Sequence, residues 1–153
     1  MKELLNKILL TRSDNWAAVV LRIPIGIILV AHGCQKLFGW FGGYGLEGTG
    51  QWLASVGLAP GYLMALLAGS AEFFGGLGLI LGLFTRVAAF VSALTMFIAL
   101  FWVHWGNGFF LDQHGIEYAL ALSSATASLI FMGGGRFAID NWLISNHIFG
   151  ESS

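Results

Sequence analysis

Charge is what this sequence has least of. Asp, Glu, Lys and Arg make up 10% of its 153 residues, against roughly 25% in an ordinary soluble domain. The formal net charge of -1 gives no hint of nucleic acid or of an acidic substrate, and no nucleic-acid partner is expected. Cysteine is nearly missing too. Cys34 stands alone, which rules out an intrachain disulfide, a CxxC redox pair and a thiolate cluster. Proline occurs only at Pro24, where it would kink an apolar helix and free a carbonyl, and at Pro60, where it ends a loop. Phosphate-cradling glycine loops and nucleophilic triads are also lacking.

What is present is apolar. Hydrophobic residues reach 57% and the mean hydropathy is +0.79, too oily for a soluble core. A membrane-crossing helix needs about 20 mostly apolar residues, and four runs qualify: 16–38, 61–84, 87–105 and 116–132. They predict an all-α integral membrane protein, a four-transmembrane-helix bundle over 16–142 in a lipid bilayer. Residues 1–15 precede it, with Leu4, Leu5, Ile8 and Leu9 at helical spacing beside Lys2 and Lys7, as in a helix lying on the interface. Residues 143–153 form a short tail. The first run is too long for a signal-peptide core and lacks a cleavage site.

Basic residues orient the bundle. Lys2, Lys7, Arg12, Arg86 and Arg136 fall on one side and Lys36 on the other, with Arg22 inside the first helix. Both termini are therefore expected in the cytoplasm, with the loop 39–60 outside. That loop is rich in glycine but also holds Trp40, Phe41, Tyr44 and Trp52, so it should lie back on the membrane as a partial lid, with a short helix over 48–56. Ala65, Gly69, Gly78 and Gly82, and in the fourth helix Ala121, Ser124, Ala125 and Ser128, read as small residues where helices approach closely.

The polar residues inside the oily runs carry the chemistry. A charged Glu72 near the centre of the second helix costs about 2.5–3.5 kcal/mol on insertion scales, so it needs a partner, a proton or a polar cavity. The first helix offers Arg22 from one side and His32 and Lys36 from the other. His32 and Lys36 are four apart and share a helix face, with Gln35 on its flank. This stripe is expected to meet His104, Asn107 and Glu117, with Trp102, Trp105, Phe109 and Phe110 as flat walls. Plainer readings stand beside it: Lys36 snorkelling to the interface, Arg22 and Glu72 as a register-fixing ion pair, and His104, Asp112 and His114 as loop polars. Haem between His32 and His104 is conceivable, but no other mark of a haem pocket accompanies them. A zinc site lacks a third ligand.

The same residues carry a family resemblance. "LRIPIGIILVAHGCQKL" resembles the first-helix motif of the DoxX family of small bacterial membrane proteins, an arginine followed by HGxxK. "AEFFGGLGLILGLFTR" resembles its second, a glutamate before paired glycines and a closing threonine–arginine; "NGFF" and "HGIEYAL" match later elements. "GGGRFAID" departs from the usual family ending. The resemblance implies a four-helix protein of the bacterial plasma (inner) membrane. It also implies links to quinone reduction, to defence against quinone and thiol stress, and to membrane oxidoreductase assemblies. The matching positions are Arg22, His32, Gly33, Lys36, Glu72, Gly75, Gly76 and Arg86.

Residues and resemblance together lead to an expected oxidoreductase or redox-complex subunit binding a quinone-like molecule, with no covalent cofactor. His32, Lys36 and Glu72 are its candidate catalytic groups. Arg22, Gln35, His104, Asn107, Glu117, Trp105 and Phe109 are candidate ligand-binding groups. Without flavin, haem or cysteine motifs, electrons would come from a soluble or membrane redox partner protein. The alternative is a non-enzymatic membrane carrier, permease-like protein or assembly partner for a soluble redox enzyme.

Overall fold

A computed structural model describes Leu9 and residues 13–145, and the described residues form helices and turns without strands. The N-terminal interfacial helix and most of the tail expected from the sequence lie outside the described residues. Helix α1 spans Trp16–Phe38; Asn15 caps it by accepting from the Ala18 N–H, and Gly39 ends it in the left-handed conformation. The chain runs through Pro24 without leaving the helix. A tight turn at Trp40–Gly42 leads to α2, Gly45–Ser55, and then to α3, Gly61–Leu81. Gly82, at φ 65°, stops α3 three residues before the expected end.

Helix α4, Thr85–Ile98, continues through a π-helical turn at Ala99–His104 and a tighter turn at Trp105–Asn107. Helix α5 spans Glu117–Met132 and α6 spans Ile139–Leu143. Three helical stretches are long and apolar enough to cross a membrane: Trp16–Phe38, Gly61–Leu81 and Thr85–Asn107. Helix α5 is apolar but shorter: its 16 residues extend roughly 24 Å at 1.5 Å per residue. The protein is thus a multi-pass membrane protein. Side chains such as Phe131, 80% exposed, turn outward toward lipid.

Helix α1 packs most extensively on α3, α3 on α4, α4 on α5, and α5 back on α1, closing a ring of four. Ala18, Ile25, Leu29, Leu79, Ala89, Met96, Leu122 and Leu129 fill its centre. One close approach of α1 to α3 lies on a glycine pair absent from the expected packing set. A Cβ on Gly76 would stand 2.7 Å from the Gly26 carbonyl oxygen, and one on Gly26 equally close to that of Gly76. Only hydrogen at both positions lets α1 and α3 meet there.

The packing expected of α5 needs correction. Ala121, Ser124 and Ser128 are exposed, on the outward face of the bundle. The Ser124 hydroxyl donates to Leu120 O and the Ser128 hydroxyl to Ser124 O, each at 2.8 Å. A serine whose own helix satisfies it can face lipid without a partner helix.

Candidate functional site

The apolar interior holds polar groups at two opposite ends, and Arg22 belongs to the one not expected. It is 2% exposed and reaches backbone carbonyls instead of Glu72. Its Nε donates to Gly134 O at 2.9 Å, and Nη1 donates to Leu79 O at 2.8 Å and Ile80 O at 2.5 Å. Nη2 donates to Arg136 O at 3.3 Å. Leu79 and Ile80 lie in the last turn of α3, whose carbonyls lack the regular i+4 donor and form the negative end of the helix dipole; Leu79 O also accepts from the Gly82 N–H at 3.3 Å. Arg22 therefore closes the end of α3 and ties it to the turn after α5. The expected pairing of Arg22 with Glu72 is not made.

Asp140, which the sequence reading passed over, completes this junction. Its carboxylate accepts from the backbone N–H of Phe84 at 2.6 Å and of Thr85 at 2.9 Å, and from the Thr85 hydroxyl at 2.8 Å. A carboxylate at the start of α4 satisfies orphan donors at the positive end of that dipole. It also anchors Phe84, which sits at φ 45°, a conformation that is strained for a phenylalanine. The segment "GGGRFAID" that departs from the family pattern thus forms the clasp joining α1, α3, α4 and α5.

At the other end, the Lys36 Nζ donates to Glu72 Oε2 at 2.6 Å. Glycines set this distance. A Cβ on Gly33 would stand 2.6 Å from the Phe73 nitrogen, and one on Gly69 would crowd Leu37 and the Lys36 Cβ. Their absence closes α1 on α3 on either side of the ion pair. The Glu72 side chain is 3% exposed and that of Lys36 25%, so the cation reaches outward while the carboxylate does not. His32 turns to a different seam, its ring 6.0 Å from that of Tyr118 at the start of α5.

A cavity of about 430 Å³ opens beside Lys36. It lies between the end of α1 and helix α2, lined by Gln35, Lys36, the glycines 42, 43 and 48, Tyr44, Thr49 and Trp52. The Gln35 Nε2 donates to Phe41 O at 3.2 Å, holding the Trp40–Gly42 turn against α1. Gly50 lets α2 seat on α3, since a Cβ there would stand 2.9 Å from the Tyr62 Cα. Lys36 has two ammonium hydrogens beyond the one given to Glu72, the Gln35 amide has one more, and Trp52 and Tyr44 present flat apolar faces.

The second loop stays outside this cavity, contrary to the expected pocket. The His104 Nδ1 lies 2.7 Å from His114 O, and the Asn107 amide donates to Val103 O and His114 O at 3.4 Å. Glu117 Oε1 accepts from the Leu111 N–H at 2.7 Å. These three residues organise their own loop. Trp105 stacks on Phe101 at 5.0 Å, and Phe109 lies against Phe110, both exposed. Thr49, buried and lining the cavity, had no sequence signal beyond its place in the lid segment.

The chain is similar to known proteins. The chain is 38% identical over 124 residues to an uncharacterized protein of Haemophilus influenzae, covering 79% of this chain and 86% of that one. It is 31% identical over 145 residues to the Bacillus subtilis protein named "Putative oxidoreductase CatD", covering 94% and 99%. It is 26% identical over 130 residues to the Escherichia coli inner membrane protein YqjF, covering 85% and 94%. No solved structure matches. The DoxX family pattern matches residues 17–105, which include the glycine-set α1–α3 seam, the Lys36–Glu72 pair and the cavity. The chain belongs to the DoxX family.

Proposed function

We propose that this protein is a small enzyme or subunit of membrane redox metabolism that binds a quinone-like molecule in the cavity beside Lys36. The observation that carries the reading is the Lys36–Glu72 pair at the edge of a cavity walled by aromatic rings. A quinone ring needs a flat apolar slot, donors for its carbonyl oxygens and a route for protons. Trp52 and Tyr44 are the slot, and Lys36 and Gln35 are the donors. Reduction adds two electrons and two protons. Electrons come from a redox partner protein, and both protons come from solvent, relayed in turn through the Glu72 carboxylate and the Lys36 ammonium to the ring oxygens. His32 and Tyr118 extend the polar path along the α1–α5 seam. The name of the Bacillus subtilis relative supports oxidoreductase chemistry.

In this reading α5 completes a four-span bundle in the bacterial inner membrane, with both termini cytoplasmic and the cavity facing outward. Purification into nanodiscs, with quinone extracted and quantified, tests the binding. Near-stoichiometric quinone in the wild type, lost in Lys36→Met, is the expected result. Quinone-free protein that also fails to bind added quinone would exclude the reading and leave a non-enzymatic membrane module.

A further inference from the structure

The wall of the cavity opposite α1 is helix α2, and one of its side chains has no task within the fold. Thr49 is 6% exposed, and its hydroxyl takes part in no hydrogen bond among the described residues. Among the described residues, the hydroxyl that is both unbonded and fully sealed is that of Ser92, at the α3–α4 seam. The Thr49 hydroxyl is absent from that sealed class, and Thr49 is one of the residues lining the cavity. Several other helical hydroxyls behave differently. Thr95, Ser123 and Thr126 return their hydroxyls to carbonyls of their own helix at 2.7–3.0 Å. A buried hydroxyl without a partner costs free energy, and one that opens into a cavity can recover it from whatever fills that cavity.

Backbone contacts fix where this hydroxyl sits. Gly50, its neighbour, presses on the start of α3, so the lid helix cannot rotate freely. Gly43 packs on the backbone of Gln35, which fixes the other edge. Between them Gly42 borders open space, where a Cβ would meet nothing within 4 Å. Donors therefore face the space from two sides, Lys36 and Gln35 from α1 and Thr49 from α2, with Trp52 and Tyr44 as flat faces between.

We infer that Thr49 is a ligand-binding residue that donates to a second oxygen of the molecule held by Lys36, so the cavity selects flat rings carrying two acceptor oxygens over rings carrying one. This inference rests on the quinone reading of the cavity and adds to it the residue that discriminates between ligands. Lys36 takes the first oxygen because a charged donor makes the stronger bond. Thr49 is left for the second, which a one-oxygen ligand does not have.

Binding of two probes separates the possibilities. Dimethylnaphthoquinone carries two ring carbonyls and no position open to thiol attack; α-tetralone is a ring of the same size with one carbonyl. Each is titrated into nanodiscs holding wild type, Thr49→Val, Thr49→Ala or Thr49→Ser, with uptake by empty nanodiscs subtracted. Losing one neutral hydrogen bond should weaken dimethylnaphthoquinone about fivefold in Thr49→Val, leave α-tetralone within about twofold, and be reversed in Thr49→Ser. Thr49→Ala, a good helix former, should repeat the selective loss should the valine variant fold poorly. Equal weakening of both probes, or no rescue by serine, would show that Thr49 only shapes the wall. Unchanged binding in both hydroxyl-free variants overturns the inference alone. A wild type that binds neither probe overturns the quinone reading beneath it as well.

Discussion

Replacing Arg22 tests whether the most deeply buried cation is part of the clasp or of the site. In Arg22→Leu the carbonyls of Leu79, Ile80, Gly134 and Arg136 lose their donor, and three of those bonds are 2.5–2.9 Å long. A hydrogen bond from a charged donor contributes about 1.5–3 kcal/mol. Three sum to more than is realistic, because the bonds share one group and leucine refills part of the volume. A loss of about 4–5 kcal/mol is expected, at the far end of what single substitutions do. Arg22→Lys keeps the charge but brings a compact ammonium to a forked site, so it should recover about half of that loss. The assay is equilibrium unfolding in mixed detergent and SDS, with quinone binding measured on folded Arg22→Lys. Binding should persist, because Lys36 holds the opposite end of α1. A loss under about 1 kcal/mol in Arg22→Leu would refute the clasp; stable Arg22→Lys without binding would return Arg22 to the site.

Asp140→Asn keeps the shape and removes the charge at the start of α4, so a loss of about 1–2 kcal/mol is expected in the same unfolding assay. Coupling with Arg22→Lys is expected in a double-mutant cycle, because the two charges flank one turn. Gly76→Leu drives a side chain into the Gly26 backbone and should cost about 3 kcal/mol or prevent folding, while Gly42→Ala, which meets no neighbour, should be far milder despite its φ of 77°. Glu72→Gln should cost only about 1–2 kcal/mol, less than a fully buried pair, because Lys36 can turn into the cavity; survival under quinone stress should nevertheless fall, and unchanged survival with a large drop in melting temperature would make the pair purely structural. For orientation, an impermeant thiol reagent on intact cells should label Gly48→Cys and spare Ser153→Cys, and the reverse pattern would invert the bundle.

The sequence states what a residue needs more clearly than who supplies it. Glu72 in an oily run needed a cation, and antiparallel helices put Lys36 within reach, so that contact could be anticipated. Arg22 posed the same kind of need and drew attention to the same carboxylate. Its partners are instead carbonyls at the end of α3, where Gly82 stops the helix, and at the turn after α5. Backbone acceptors leave no letter in a sequence. Only the fold shows that a helix end, with its uncompensated negative dipole, has been placed beside the guanidinium.

The choice between the two aromatic loops was hidden for a related reason. Both hold tryptophan or phenylalanine beside polar groups, and composition favours neither as the wall of a cavity. Backbone fit decides. Gly43 and Gly50 let the first loop lie against Gln35 and Tyr62, whereas the second closes on itself through His104, Asn107, Glu117 and the His114 carbonyl. Polar residues that looked like a site are consumed in folding their own loop, and Thr49, which looked like nothing, is left with a hydroxyl to give. A functional polar group in a bundle this apolar is best recognised by the bonds it does not make inside the fold. By that criterion the hydrogen-bonding capacity of Arg22, His104 and Glu117 is spent inside the fold, while Lys36, with two hydrogens to spare, and Thr49, with its hydroxyl unspent, are the residues to test first.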